Sequence, residues 1–123
     1  MKTKDRVLHC IGDSHVSFFS GLNKMQPVFP EQSKCMFKNI KIYRLGPVLA
    51  YNLISENTTT RGREKLYQVI NDHIKSKDII LLCFGEIDSR FHIIKNSKKL
   101  GISLEEAVKN CTNRYLDVIS ELV

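Results

Sequence analysis

The sequence predicts an α/β fold built on a parallel sheet, and three observations carry that expectation. Two short stretches, near Val7–Ile11 and Ile79–Phe84, are largely apolar without clean polar alternation, as in strands covered on both faces. Helical stripes alternate with them: Leu66, Val69, Ile70, His73 and Ile74, then Leu104, Val108, Cys111, Tyr115, Val118, Ile119 and Leu122. Gly12-Asp13-Ser14 joins the first stretch directly to a third stripe, Val16, Phe18, Phe19 and Leu22, giving a strand, a tight turn and a helix. The order β-α-β-α-α-β-α implies right-handed crossovers and helices on both faces of the sheet.

Element by element, the first strand is expected from about Arg6 to Gly12 and its helix from about His15 to Lys24, ended by Gln26-Pro27. Met36 to Leu45 reads as a second strand, imperfectly alternating and suited to a sheet edge, closed by Gly46-Pro47. Val48 to Ser55 reads as a short helix, and Asn57 to Thr60 as a loop. A helix follows from about Arg61 to Lys75, then the third strand from Asp78 to Gly85. Glu86 to Gly101 reads as a polar, basic loop. Ser103-Leu104-Glu105-Glu106 is a capping box that opens the last helix.

The 123 residues fit one domain, and 42% hydrophobic with 26% charged residues is ordinary for a globular protein. The net charge of +6 is spread along the chain, apart from Lys95, Lys98 and Lys99, and no nucleic-acid motif accompanies it. A charged start and no long apolar run argue against a signal peptide and a membrane span, so a cytoplasmic protein is expected. Cys10, Cys35, Cys83 and Cys111 lie far apart, which fits free thiols in a reducing compartment. No paired Cys or His spacing supports a zinc site. Two largely apolar strands in a three-stranded sheet leave an apolar edge, and the last helix ends on Leu122-Val123 without a polar tail. Both imply either further sequence or a partner chain, such as a second copy, over that edge.

The Gly12-Asp13-Ser14 turn is the chemical focus. It sets a hydroxyl at the C-terminal edge of a parallel sheet, where open α/β folds bind ligands, beside free backbone N–H groups. The same tripeptide also reads as a plain helix N-cap. Asp13 is expected to fix the turn by accepting backbone N–H bonds. A serine nucleophile needs a base and a group orienting that base. His92, after the third strand, is one candidate, against a histidine packed beside Phe91 and Ile93. His15 follows Ser14, but its side chain should diverge at the turn, which suits a rim role. Asp88 and Arg90 could pair to order the third loop, and Glu86 could meet a sugar hydroxyl or face water.

With these segments together, the chain resembles the SGNH/GDSL hydrolase superfamily, three-layer α/β/α enzymes that cleave or transfer acyl esters. The first block is Ile11-Gly12-Asp13-Ser14-His15, and the resemblance makes Ser14 the nucleophile. Gly46 in Arg44-Leu45-Gly46-Pro47 matches the glycine whose amide serves the oxyanion hole. Gly85-Glu86-Ile87-Asp88 aligns with the third block and looks closest to a Gly-Glu-Ile-Asp-x-Arg sub-group, here running to Arg90, associated with bacterial surface-polysaccharide gene clusters. The resemblance implies an acylated carbohydrate substrate and no cofactor. Ile87 stands where the family has an oxyanion-hole asparagine, a donor whose removal typically costs about 10²–10³ in turnover, so either another donor replaces it, with Arg90 the nearest candidate, or activity is weak or absent. The family's Asp-x-x-His block has no match, so the resemblance covers the front half of the fold. Two rival readings are a carbohydrate- or partner-binding module on the same scaffold, and a phosphate-binding domain. The second is disfavoured because the turn has one glycine and Asp13 would repel phosphate.

Overall fold

Three β-strands run parallel in the order β2-β1-β3: β1 (Leu8–Gly12), β2 (Ile40–Arg44) and β3 (Ile79–Cys83). The computed structural model describes residues 6–122. The register sets Cys10 beside Ile42 on one side and Leu81 on the other, and Gly12 beside Arg44 and Cys83. Helices and a parallel sheet make this an α/β protein, as the sequence predicts.

The described residues gather into two units, 6–46 with 64–83 and 47–63 with 84–122. The first holds the sheet. Alternation along each strand sorts its side chains onto two faces. Leu8, Cys10, Ile40, Ile42, Leu81 and Cys83 share one face, where Cys10 and Ile42 pack with buried Val16 and with Phe19. Val16 and Phe19 lie on a 3₁₀ helix, Ser14–Ser20, in the connection from β1 to β2. The opposite face carries His9 and Tyr43, and Tyr43 meets His73 of helix α1 (Gly62–His73), with ring centres 5.4 Å apart. The connections β1→β2 and β2→β3 run in opposite directions across the sheet, so right-handed crossovers leave their helices on opposite faces.

The helix after the turn is shorter and tighter than expected. The Ser20 hydroxyl donates back to the Ser17 carbonyl (2.8 Å), and Gly21 ends the segment in the left-handed region at φ +73°. Residues 36–39 do not join β2: Met36 and Phe37 are exposed. β3 lies at a sheet edge and is only partly covered, not buried on both faces as its composition predicts.

The second unit opens with a short 3₁₀ turn, Ala50–Asn52, where the sequence suggested a helix. The expected loop over residues 86–101 is instead helical. A π-helical turn, Asp88–His92, runs into α2 (Ile93–Leu100), which Gly101 caps in the left-handed conformation while donating to the Ser97 carbonyl. Helix α3 (Leu104–Leu122) begins as the capping box requires, with the Ser103 hydroxyl accepting the Glu106 N–H at 3.1 Å. Its buried stripe is Ala107, Cys111 and Val118, while Leu104 and Val108 are exposed. Among the described residues no helix is long and apolar enough to cross a membrane.

A hydrogen-bonded chain crosses the α1 face of the sheet. His9 is buried, with Nδ1 3.0 Å from the Tyr43 hydroxyl and Nε2 2.8 Å from Asp78 Oδ2. One tautomer satisfies every member: Tyr43 donates to Nδ1, and Nε2–H donates to the carboxylate. The bond from His9 holds Asp78 below the usual carboxylate range. Burial, and then the charge of Asp78, push Tyr43 up to about 12. A folded-state pKa near 12 against about 10 unfolded stabilises the native state below pH 10 by about 2–3 kcal/mol relative to strong alkali, and that increment is lost as pH rises through 12. One of the four tyrosines is therefore expected to ionise only near pH 12, with unfolding, and tyrosinate absorbance will show it. In Tyr43→Phe that late transition disappears. Neutral-pH stability falls by about 1–3 kcal/mol, because the buried Nδ1 loses its partner.

Candidate functional site

The site is built where β1 ends. Asp13 donates its N–H to the Cys83 carbonyl (3.1 Å), and Leu45 donates to the Gly12 carbonyl (2.8 Å), so the turn is tied to both neighbouring strands. A Cβ at residue 12 would lie 2.2 Å from the Cys83 carbonyl oxygen, so only glycine lets β1 and β3 close at this point. Gly46, two residues past the β2 partner of Gly12, is buried at φ +103°, a conformation that again favours glycine.

Asp13 fixes the turn as predicted. Its carboxylate is buried, and Oδ1 accepts the His15 N–H at 2.9 Å. The same oxygen lies 3.1 Å from His15 Nδ1, so the exposed imidazole is held at the rim of the turn. Oδ2 is buried without a partner among the described residues. Ser14 is partly exposed, and no hydrogen bond to its hydroxyl is formed among the described residues. Ser14 instead borders an open, mainly apolar groove of about 780 Å³.

The thiols offer no competing nucleophile nearby. Burial, then neighbouring Cys35 and Cys83, push Cys10 up to about 11. Burial and then the charge of Asp13 raise Cys83. Both stay protonated at neutral pH, and the thiol is the unreactive form.

The third-block residues belong to the second unit. The Gly85 carbonyl accepts the Ser89 N–H at 2.9 Å. The expected Asp88–Arg90 pair does not form. Arg90 pairs with Glu86 one helical turn away, Nε to Oε1 at 2.6 Å and a second nitrogen to Oε2 at 3.2 Å. That bond raises the arginine pKa further, and the guanidinium also lies 4.4 Å from the Phe91 ring centre. Glu86 and Arg90 therefore satisfy each other. Asp88 points inward and is buried, accepting the Ala50 N–H (2.7 Å) and the Tyr51 N–H (3.1 Å). The Cys111 thiol lies 3.4 Å away, and burial followed by the charge of Asp88 pushes it up to about 12.

The His92 ring lies tilted against Tyr51, with ring centres 4.8 Å apart and planes at 50°, and its buried Nδ1 has no partner among the described residues. Arg114 covers Tyr51 (4.1 Å), donates to the Tyr51 carbonyl and to the Ser55 hydroxyl (2.7 Å each), and completes this layer. Among the described residues no carboxylate orients His92, which is the feature a general base requires. Tyr51, Arg114 and the inward role of Asp88 were missed in the sequence. Their one visible signal is an arginine set within the apolar stripe of the last helix. Among the described residues no group of three or more His, Cys, Asp or Glu side chains could hold a metal ion.

Asp88 holds the start of the Ala50–Asn52 turn with both oxygens, so Asp88→Asn places an amide where two N–H groups need acceptors. A loss of about 3 kcal/mol is expected in urea unfolding. Arg90→Ala, at an exposed pair, is expected to cost far less; equal losses would restore the Asp88–Arg90 pairing. No family model matches the chain, and neither a curated protein nor a solved structure matches it.

Proposed function

We propose that the protein is an ester O-acyl hydrolase or acyltransferase domain of the SGNH type, with Ser14 as nucleophile and an acylated carbohydrate as substrate. The observation that carries this reading is the Ser14 hydroxyl itself. It stands at the C-terminal end of the central strand, without a hydrogen bond among the described residues, beside an open groove. In this reading Ser14 Oγ attacks the ester carbonyl and loses its proton to a base. The carbonyl oxygen gains the negative charge and accepts hydrogen bonds that the backbone N–H groups of Ser14 and Gly46 donate. Collapse of the adduct expels the sugar alkoxide, which takes up the proton. Water, or a second hydroxyl, then receives the acyl group. Arg90, the nearest side chain that could replace the missing asparagine donor, is paired with Glu86 in an exposed bond that it would have to exchange for the oxyanion.

One observation favours a second reading, a carbohydrate- or partner-binding module on the same scaffold. No histidine nitrogen bonds to the Ser14 hydroxyl among the described residues, and His15 is turned toward Asp13. A fluorophosphonate probe decides between them. The hydrolase reading expects covalent labelling of the full chain, lost in Ser14→Ala and kept in Ser17→Ala. An unlabelled wild-type chain that binds acylated oligosaccharide establishes the binding module.

A further inference from the structure

The groove beside Ser14 is apolar on most sides and unusually open to water. Phe18 is 81% exposed, Met25 59% and Phe37 48%, and Phe19 and Leu22 complete its walls. Apolar surface gathered like this on a globular protein generally marks a binding face. The walls are also fixed in place. The Ser17 hydroxyl accepts the Gln26 N–H at 2.9 Å, anchoring the segment that carries Leu22 and Met25. The Met36 N–H donates to the Ser20 carbonyl at 2.8 Å. A Cβ at Gly21 would lie 2.8 Å from the Phe37 ring, so glycine lets that ring close against the helix end. A wall anchored before the ligand arrives loses little entropy on binding. At about 780 Å³ the groove has the size of a small-molecule site.

Two features define the occupant. Ser14 borders the groove, so a chain lying in it with its carboxyl end toward the turn would come within reach of the hydroxyl. The one charged side chain among its lining residues is Lys24, a cation, which complements a carboxylate. We propose that this groove is an acyl-chain subsite for an unbranched alkyl chain longer than acetyl, carried as an ester or as the free carboxylate. The proposal rests on the Ser14 reading for its catalytic meaning and on the groove for the choice of chain. It narrows the substrate from acylated carbohydrate in general to carbohydrate bearing a fatty acyl group. A second copy of this chain would cover the same side chains, so the test must separate the two.

The test is equilibrium binding of butanoate, hexanoate, octanoate and decanoate, all below their micelle concentrations, to the full Ser14→Ala chain. Turnover is then irrelevant to the result. Affinity is expected to rise roughly two- to fourfold per added methylene until the groove is filled. Phe18→Ser and Met25→Asp alter exposed positions and so should leave the fold intact; each is expected to flatten this ladder. Lys24→Glu should weaken every carboxylate by a similar factor and leave the matching alkanols unchanged. Affinity independent of chain length overturns the subsite, as does a ladder that survives both groove variants. Self-association that the groove variants abolish, without alkanoate binding, assigns the face to a second copy and overturns it too. Fluorophosphonate labelling without a ladder would leave the nucleophile standing and the subsite refuted. A ladder without labelling would keep an alkyl-binding groove and refute the esterase.

Discussion

The structure depends on the contact between the last residue of β1 and its neighbours. Strand β1 is central, and at Gly12 the backbone of β3 comes so close that no side chain fits. The Asp13 amide then bonds to β3, and the Gly12 carbonyl accepts from the residue that leads into Gly46. Both flanking strands are therefore fastened to one turn at one end of the sheet. A hydroxyl two residues beyond that point inherits its position from three strands, not from a loose loop. Catalytic geometry tolerates little displacement, so rigidity of this kind is what a reactive serine requires.

Asp13 adds a second constraint. A buried carboxylate that meets only part of its hydrogen-bonding capacity is costly. Here one oxygen fixes the turn and the exposed imidazole of His15, while the other has no partner among the described residues. The cost is consistent with a site that keeps its shape for chemistry and not for stability. The His9–Tyr43–Asp78 chain is the opposite case: every member has a matching donor or acceptor, and the result is a fixed face for α1.

Much of this was legible in the sequence because the controlling forces are local. The apolar runs, the Gly-Asp-Ser turn, the stripe of α1 and the Ser103 cap each follow from a few adjacent residues. What failed depended on weighing charge against pattern, or on register. Ile87, Phe91 and Ile94 keep the spacing of one helical stripe through the π-helical turn at Asp88–His92, but they stand among Arg90, Lys95, Lys98 and Lys99, and a helix reads as a polar, basic loop. The Glu86–Arg90 spacing and Gly101 were signals of a helix and its end, outweighed by the charge count. His9, Tyr43 and Asp78 lie on three different strands or their borders, and only the register brings them together. Asp88 was placed in the right block with the wrong partner, because sequence separation cannot tell an inward carboxylate from an outward one.

The departure at Ile87 bears on how oxyanion charge would be held. A family-type asparagine adds a side-chain donor, and isoleucine removes it. Arg90 could replace it only if its guanidinium were available, and a two-point bond to Glu86 together with the Phe91 ring occupies it. In that reading stabilisation would fall to the backbone amides of Ser14 and Gly46, which lie two residues past the ends of β1 and β2. Amides held by a sheet cost no reorganisation when charge appears, whereas a long exposed arginine must first give up its partner. In the proposed reading the fold would therefore carry the electrostatic work that a side chain performs in the family pattern, and the rate of acyl transfer would depend on the Gly12–Gly46 framework more than on the third block.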